Sequence, residues 1–163
     1  MNPNDFCILT AAASRNPRMI ALSIALDALG CQERPGHNVG VIVRAVMDGQ
    51  EGDAQQWCAG FATRCYQLAF NMLGRGNPFD GLANRKSSSA IYHWAVARGK
   101  ITTEPRNGDL FLVKGGNTGH SHTGMVATAD KPDFVTIEGN IKDRVIQREL
   151  ERARVDFVRV TED

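Results

Sequence analysis

The chain has 163 residues, of which 42% are hydrophobic and 23% are charged, a balance typical of a globular domain. We expect a single domain over 1–163, because a chain of this length can bury roughly 70% of the surface that it exposes when unfolded. Nineteen Lys and Arg residues against eighteen Asp and Glu residues leave a formal charge of +1, which argues against nucleic acid as a partner because phosphate binding needs a basic surface.

The opening segment, MNPNDFCILTAAASRNPRM, lacks a basic start followed by an unbroken apolar run. We therefore expect neither a signal peptide nor a membrane span. Synthesis in the cytoplasm follows from this expectation.

Two helices are predicted in the first third of the chain. The first begins at Pro17, with Asn16 as its N-cap, continues as an apolar stripe to Leu29 and ends at Gly30. The run VGVIVRAVMDG, residues 39–49, mixes β-branched residues with helix formers, so its periodicity fits a strand or a short helix. We assign it to a helix.

The most regular helical pattern follows in WCAGFATRCYQLAFNMLGRG, residues 57–76. Its apolar residues recur at helical spacing up to Gly74, which can end the helix. A fourth helix is predicted in SSSAIYHWAVARG, residues 87–99, because its serines can cap the start and Gly99 can end it.

From Gly108 onward the chain consists of short β-type runs separated by Gly, Asn, Pro or charged turns. The runs are DLFLV, HTGMVAT, DFVTIEG, RVIQREL and RVDFVRV. Their connections are too short for parallel crossovers, so antiparallel pairing is expected. The sequence therefore predicts an α+β fold in which N-terminal helices pack on a C-terminal antiparallel sheet of about five strands.

Cys58 is the candidate nucleophile because it opens the third helix and also lies on its apolar stripe. Its sulfur is expected to face the seam between helix and sheet at the positive end of the helix dipole, where a thiolate is stabilised. A buried structural cysteine is the commoner case for an isolated thiol. The assignment therefore depends on a base close to Cys58.

The other cysteines are assigned to structural roles. Cys65 lies in the middle of the same helix, about 10 Å along the axis from Cys58, which is too far for a disulfide. Cys7 and Cys31 are assigned to the core because no partner is evident. Four cysteines at irregular spacing do not form a disulfide framework.

Two of the four histidines are candidates for the base. His37 lies in a Pro/Gly turn and His93 on a helix, where solvated or packed roles are commoner. His122 begins an alternating run in which it shares a strand face with Gly124. His120 has the same parity, but GGNTGHS is typical of a loop, so its side chain would be less rigidly held. We prefer His122.

A third group is needed to hold the imidazole in the productive tautomer. Glu138 and Asn140 lie two apart in TIEGN, so they share one face of an extended chain. Either could accept a proton from the imidazole. The sequence pattern alone leaves both open, because a solvated strand residue and a turn former fit it as well.

A metal site is the competing interpretation. Cys58, Cys65, His120 and His122 are conceivable ligands, but their spacing lacks the close cysteine pairs typical of structural zinc. No glycine-rich phosphate motif follows a strand and precedes a helix. We therefore expect neither a metal nor a cofactor.

The segments WCAGF, NGDLFLV, HTGMV and IEGN, in this order, resemble the CHAP and NlpC/P60 superfamily of cysteine peptidoglycan hydrolases. The stretches ALDALGCQERPG and SSSAIYHWAVARGKI are similar to phage-associated and bacterial members with a WCA motif. The resemblance implies a papain-like arrangement of a cysteine-bearing helix against a histidine-bearing sheet. Cys58, His122, Glu138 and Asn140 match the catalytic positions of its CHAP branch.

One departure concerns the base. The family often has GHVG where this chain has GHSHTG, so His120 matches the first histidine pattern and His122 the second. The choice between them is open at this point. His120, Trp57 and Gln56 are assigned to substrate binding. Trp57 is expected to form a wall of the cleft or to pack in the core, and Gln56 or another upstream polar group is expected to act as a second oxyanion donor beside the Cys58 N–H.

The expected function is hydrolysis of an amide bond in cell-wall peptides, by an endopeptidase or an N-acetylmuramoyl-L-alanine amidase that forms an acyl-enzyme. The alternatives are a non-catalytic wall-binding domain of the same fold and a cysteine amidase or deamidase effector acting on another amide. A monomer is expected, with the cell wall as its site of action, reached through phage lysis or a dedicated export route.

Overall fold

Helices precede strands along the chain. The computed structural model describes residues 11, 13–35, 37–117, 119–129 and 132–162. The predicted helices are confirmed, with bounds α1 Pro17–Asp27, α2 Val41–Val46, α3 Cys58–Met72 and α4 Ser88–Ala97. None of the helices in these ranges is long and apolar enough to cross a membrane.

The helix starts follow from local hydrogen bonds. The Asn16 side chain accepts a hydrogen bond from the Met19 N–H at 3.1 Å, and Pro17 occupies the first helical position. Ser87 caps α4 in the same way, through the N–H of Ala90. These contacts satisfy backbone donors that the first turn of a helix leaves without a partner.

The strands form one antiparallel sheet in the order β1-β6-β2-β3-β4-β5. Their bounds are β1 Ile101–Thr102, β2 Leu110–Lys114, β3 His120–Thr128, β4 Asp133–Ile141, β5 Arg144–Glu151 and β6 Val155–Val158. A 3-10 turn, Arg152–Arg154, joins β5 to β6. The α+β class is confirmed. The sheet has six strands in the described part of the chain where about five were expected, because β1 is too short to produce an alternating pattern.

The sheet separates two hydrophobic clusters. Leu110 and Leu112 of β2 belong to the cluster that contains the helices, whereas Phe111 between them belongs to the cluster on the opposite face. The helix-side cluster extends from Ala11, ahead of α1, to Val160 near the end of the chain. In this arrangement α3 packs against β3 and β4, as expected from the resemblance to papain-like hydrolases.

The pairing of β3 with β4 stops before the start of β3 and the end of β4, where α3 begins. Pairing runs from Thr128 and Val135 to Met125 and Ile137, and the preceding residues of β3 lie outside this ladder. The start of α3 occupies this region, since a Cβ on Gly139 would stand 2.8 Å from atoms of both Trp57 and Phe61. A glycine at this position therefore allows the helix to approach β4 closely.

A bulge in β3 separates the two candidate histidines. His122 pairs with Val113 and His120 with the next residue, Lys114, so Ser121 is the extra residue. Since Val113 and Lys114 point to opposite faces of the sheet, so do the two histidines. The expectation that His120 lies in a loop is wrong, because β3 begins at His120.

Candidate active site

Cys58 is the first residue of α3, with Trp57 in the N-cap position. The residue is buried, with 7% of its surface exposed. The backbone N–H groups of Ala59 and Thr123 donate hydrogen bonds to its sulfur. The Thr123 N–H is available for this contact because the β3–β4 ladder has already ended. Both donors stabilise negative charge on the sulfur.

His122 connects Cys58 to a carboxylate. Its Nε2 donates a hydrogen bond to Glu138 Oε2 over 2.7 Å, and its ring is also hydrogen-bonded to the Cys58 thiol. Because Nε2 is engaged by Glu138, the nitrogen that faces the sulfur is Nδ1. The bond to Glu138 fixes both the tautomer and the orientation of the ring.

Glu138 is fully buried, and its two carboxylate oxygens accept four hydrogen bonds from three side chains. Oε2 accepts from His122 and from the Arg148 Nη2 at 2.8 Å, and Oε1 accepts from the Arg148 Nε at 2.8 Å and from the Thr136 hydroxyl. A buried carboxylate with this set of donors remains ionised.

These contacts shift all three ionisation equilibria. Burial acts to raise the pKa of Cys58, but the hydrogen bond and charge of His122 outweigh it and lower this pKa below its usual value. Burial acts to lower the pKa of His122, whereas Cys58 and Glu138 raise it to about 9. Burial opposes ionisation of Glu138, yet its donors lower its pKa to about 2. The arrangement favours thiolate and imidazolium together.

Arg148 is the residue of this cluster that sequence reasoning missed. It stands opposite Thr136 across the β4–β5 pair, so its side chain reaches the same face as that of Glu138. In the run RVIQREL it resembles any solvated strand residue. A sequence argument could have found Arg148 only from its position on the same sheet face as Glu138. That position follows from the register of β4 against β5.

His120 forms a separate pair. Its Nε2 lies 2.8 Å from Asp156 Oδ2, and its ring centroid lies 4.2 Å from that of Tyr92 on α4. Lys114 binds the other oxygen of Asp156 at 3.3 Å. His120 is buried among these groups, which gives it a packed setting on the opposite face from His122.

Asn140 and Gln56 contact each other. The Asn140 Nδ2 donates to Gln56 Oε1 at 3.0 Å and to Asn38 Oδ1 at 3.3 Å. Asn140 has a left-handed φ of 62° where the β4–β5 pairing is interrupted. Of the two side chains expected to orient the imidazole, Glu138 is therefore the one bonded to it, while the Asn140 amide orients Gln56.

A polar pocket of about 370 Å³ adjoins these amides. It is lined by Glu33, His37, Asn38, Gln56, Asn140 and Asp143. Of the two roles expected for Trp57, packing fits its surroundings, because its side chain is fully buried and its Nε1 donates to Glu33 Oε2 at 2.9 Å. Two of its lining residues, Gln56 and Asn140, are two positions in sequence from Cys58 and Glu138, respectively.

The remaining cysteines have different environments. Cys65 is buried, and burial raises its pKa to about 12, so it is a structural thiol. Cys31 is exposed rather than part of the core, because it follows the end of α1 in a surface turn. Cys7 lies outside the described residues. Among the residues that the structure describes, no three His, Cys, Asp or Glu side chains converge as a metal site would require.

The chain was compared with models of protein families. The model of the CHAP domain matches residues 50–140, more than half of the chain. The matched segment contains α3, which carries Cys58, together with α4, β3 with His122 and the part of β4 that carries Glu138. A search of curated proteins gave no match.

Proposed function

Since this chain belongs to the CHAP domain family, whose domains are typically cysteine- and histidine-dependent amidohydrolases of peptidoglycan, we propose that it cleaves an amide bond in cell-wall peptides with Cys58 as nucleophile. The observation that carries the proposal is the continuous chain of hydrogen bonds from Cys58 through His122 to Glu138. We assign the base to His122 and the orienting role to Glu138.

Acylation begins from the thiolate and imidazolium. The Cys58 sulfur attacks the carbonyl carbon of the scissile amide, and the carbonyl electrons move to oxygen. The backbone N–H of Cys58, at the start of α3, and the Gln56 side-chain amide are the proposed donors to this oxyanion. The bond between Asn140 and Gln56 Oε1 supports this role, because it directs the Gln56 NH₂ group away from Asn140.

Collapse of the tetrahedral intermediate breaks the carbon–nitrogen bond. His122 gives its Nδ1 proton to the departing amine, which leaves a thioester on Cys58. Neutral His122 then takes a proton from water, the hydroxide attacks the thioester, and the acid product leaves as the thiolate re-forms. Glu138 retains its negative charge throughout and stabilises His122 each time the ring is protonated.

The polar pocket beside Gln56 is the proposed site for the substrate peptide. Its walls offer amide donors and acceptors in Asn38, Gln56 and Asn140, together with the carboxylates of Glu33 and Asp143. Such groups suit a peptide, whose backbone needs both donors and acceptors. We place Gln56 in substrate binding and assign His120 and Trp57 to packing.

The whole of 1–163 is proposed to act as one domain. Residues outside the matched segment, such as Ile20 of α1 and Val158 of β6, share a hydrophobic cluster with Cys58. The three reacting side chains come from one chain, which supports a monomer. The proposed site of action is the cell wall, reached through phage lysis or a dedicated export route.

Digestion of purified peptidoglycan tests this function. We expect soluble products whose combined mass exceeds that of the parent by one water for each bond cut. The product masses should identify the cleaved bond as an internal peptide bond or the muramoyl–alanine amide. Cys58→Ala should reduce product formation below detection, while Cys31→Ala, which removes an exposed thiol, should leave it unchanged.

Product formation by Cys58→Ala at the wild-type rate would contradict the nucleophile. An inactive wild-type chain whose Cys58 is nevertheless reactive would contradict the wall substrate and favour a different amide.

A further inference from the structure

We propose that Arg148 is a positioning residue that neutralises Glu138 and thereby sets the pH range over which Cys58 and His122 form an ion pair. This inference rests on the proposed function, because it concerns the same three groups. Nothing in the family match assigns a role to Arg148, which lies in β5, beyond the matched residues 50–140.

The contact is a two-point ion pair to a buried charge. The Arg148 Nε and Nη2 each lie 2.8 Å from a different oxygen of Glu138, a geometry in which the planar guanidinium matches the carboxylate. The side chain of Glu138 is fully buried, whereas that of Arg148 is 39% exposed. Arg148 therefore neutralises the carboxylate from the solvent side while His122 binds it from the side of Cys58.

Among the described residues, the charged groups around Glu138 come from three elements. Glu138 is faced by His122 from β3 and Arg148 from β5, and Cys58 of α3 lies beyond the imidazole. Glu138 also accepts a hydrogen bond from the Thr136 hydroxyl, and the ring centroid of apolar Phe111 in β2 lies 6.4 Å from that of His122. Thiolate, imidazolium, carboxylate and guanidinium sum to zero, and loss of Arg148 would leave one net negative charge in a mostly buried cluster.

The sign of the expected effect follows from this sum. Extra negative charge disfavours the Cys58 thiolate and favours the His122 imidazolium, so loss of Arg148 should raise both pKa values. Loss of the Glu138 charge should lower the pKa of His122 instead. A residue that served folding alone would change the amount of active protein without moving either value.

Alkylation of Cys58 in the intact chain measures the effect directly. Iodoacetamide labelling across a pH series, read by mass spectrometry of the peptide that contains Cys58, gives the pH midpoint of thiolate formation. We expect Arg148→Met to raise this midpoint by about one pH unit or more. Arg148→Lys, which keeps the charge, should stay within a few tenths of a unit of wild type.

Arg44→Met is the matched control. Arg44 lies on α2 and forms an ion pair with Glu51 at the protein surface. Its loss should leave the midpoint of Cys58 unchanged. An unchanged midpoint in Arg148→Met, or an equal rise in Arg148→Lys, would overturn the charge-setting role.

A second comparison applies if Arg148→Met does not fold. The double variant Glu138→Gln/Arg148→Met buries no uncompensated carboxylate and is compared with Glu138→Gln alone. The double variant has the same net charge as the wild-type cluster, whereas Glu138→Gln alone has one more positive charge. The midpoint should therefore be higher in the double variant than in Glu138→Gln, and equal midpoints in these two proteins would overturn the charge-setting role. Labelling needs no peptidoglycan, so absence of wall hydrolysis with a normal response to Arg148→Met would contradict the substrate and not this inference.

Discussion

The Nε2 of His122 lies 2.7 Å from Oε2 of Glu138, a carboxylate whose side chain has no exposed surface. This contact orients the ring so that its other nitrogen faces Cys58. It also places a negative charge where the imidazolium forms, which raises the pKa of His122 to about 9. The relationship therefore accounts for both the direction and the protonation of the proposed base.

Glu138→Gln should narrow the active pH range from its alkaline side. The amide keeps a hydrogen-bond acceptor for His122 but removes the charge, so the pKa of His122 should fall from about 9 towards its usual value. We expect the hydrolysis rate at pH 8.5 to fall by roughly tenfold or more relative to wild type, with a smaller loss at pH 6. Rate measurements across a pH series check this shift, and an unmoved alkaline limb would contradict it.

The two histidines should behave differently when removed. His122→Ala eliminates the group bonded to Cys58 and should lower the hydrolysis rate by about 10²-fold or more. His120→Ala removes a contact to Asp156 and Tyr92, so it should mainly lower the free energy of unfolding. Rates and denaturant unfolding of both variants separate the roles, and an inactive, fully folded His120→Ala protein would reverse the assignment.

Stability should depend on pH in opposite directions on the two sides of neutrality. The pKa of Glu138 is depressed from 4.5 to about 2, so its contribution is present above pH 4.5 and disappears as the pH falls through 2. The pKa of His122 is raised from 6.5 to about 9, so its contribution is present below pH 6.5 and disappears as the pH rises through 9.

The Glu138–His122 ion pair should contribute on the order of 3 kcal/mol to the free energy of unfolding between pH 4.5 and pH 6.5. The two pKa shifts describe one interaction, so their contributions are not added. Urea unfolding at several pH values measures this dependence. Glu138→Gln should flatten it on both sides, and an unchanged pH profile in that variant would exclude the pair as its source.

Gly139→Ala should displace the start of α3, which carries Cys58. An added Cβ would lie 2.8 Å from atoms of both Trp57 and Phe61, so the start of α3 must move away from β4. We expect a loss of about 1–3 kcal/mol in the free energy of unfolding together with a reduced hydrolysis rate. Gly76→Ala is the matched control, because nothing lies within 4 Å of its added Cβ; equal effects of the two changes would contradict this packing argument.

Local patterns predicted the helices and the placement of Cys58, because caps and the apolar period are encoded over a few neighbouring residues. Contacts between strands were harder to predict. Arg148 meets Glu138 only through the register of β4 against β5, and a one-residue bulge at Ser121 turns His120 away from the face of His122. Burial of Trp57 likewise depends on Gly139, which lies far away in the sequence but admits the helix to the sheet.

The most direct test concerns the ionisation of Cys58 by His122. Iodoacetamide labelling of the folded chain at pH 6.5, quantified for each cysteine by mass spectrometry, should modify Cys58 at least tenfold faster in wild type than in His122→Ala. Cys65, whose pKa burial raises to about 12, should stay unmodified in both proteins. Equal labelling of Cys58 with and without His122, or a Cys58 as inert as Cys65, would contradict a thiolate formed by this imidazole.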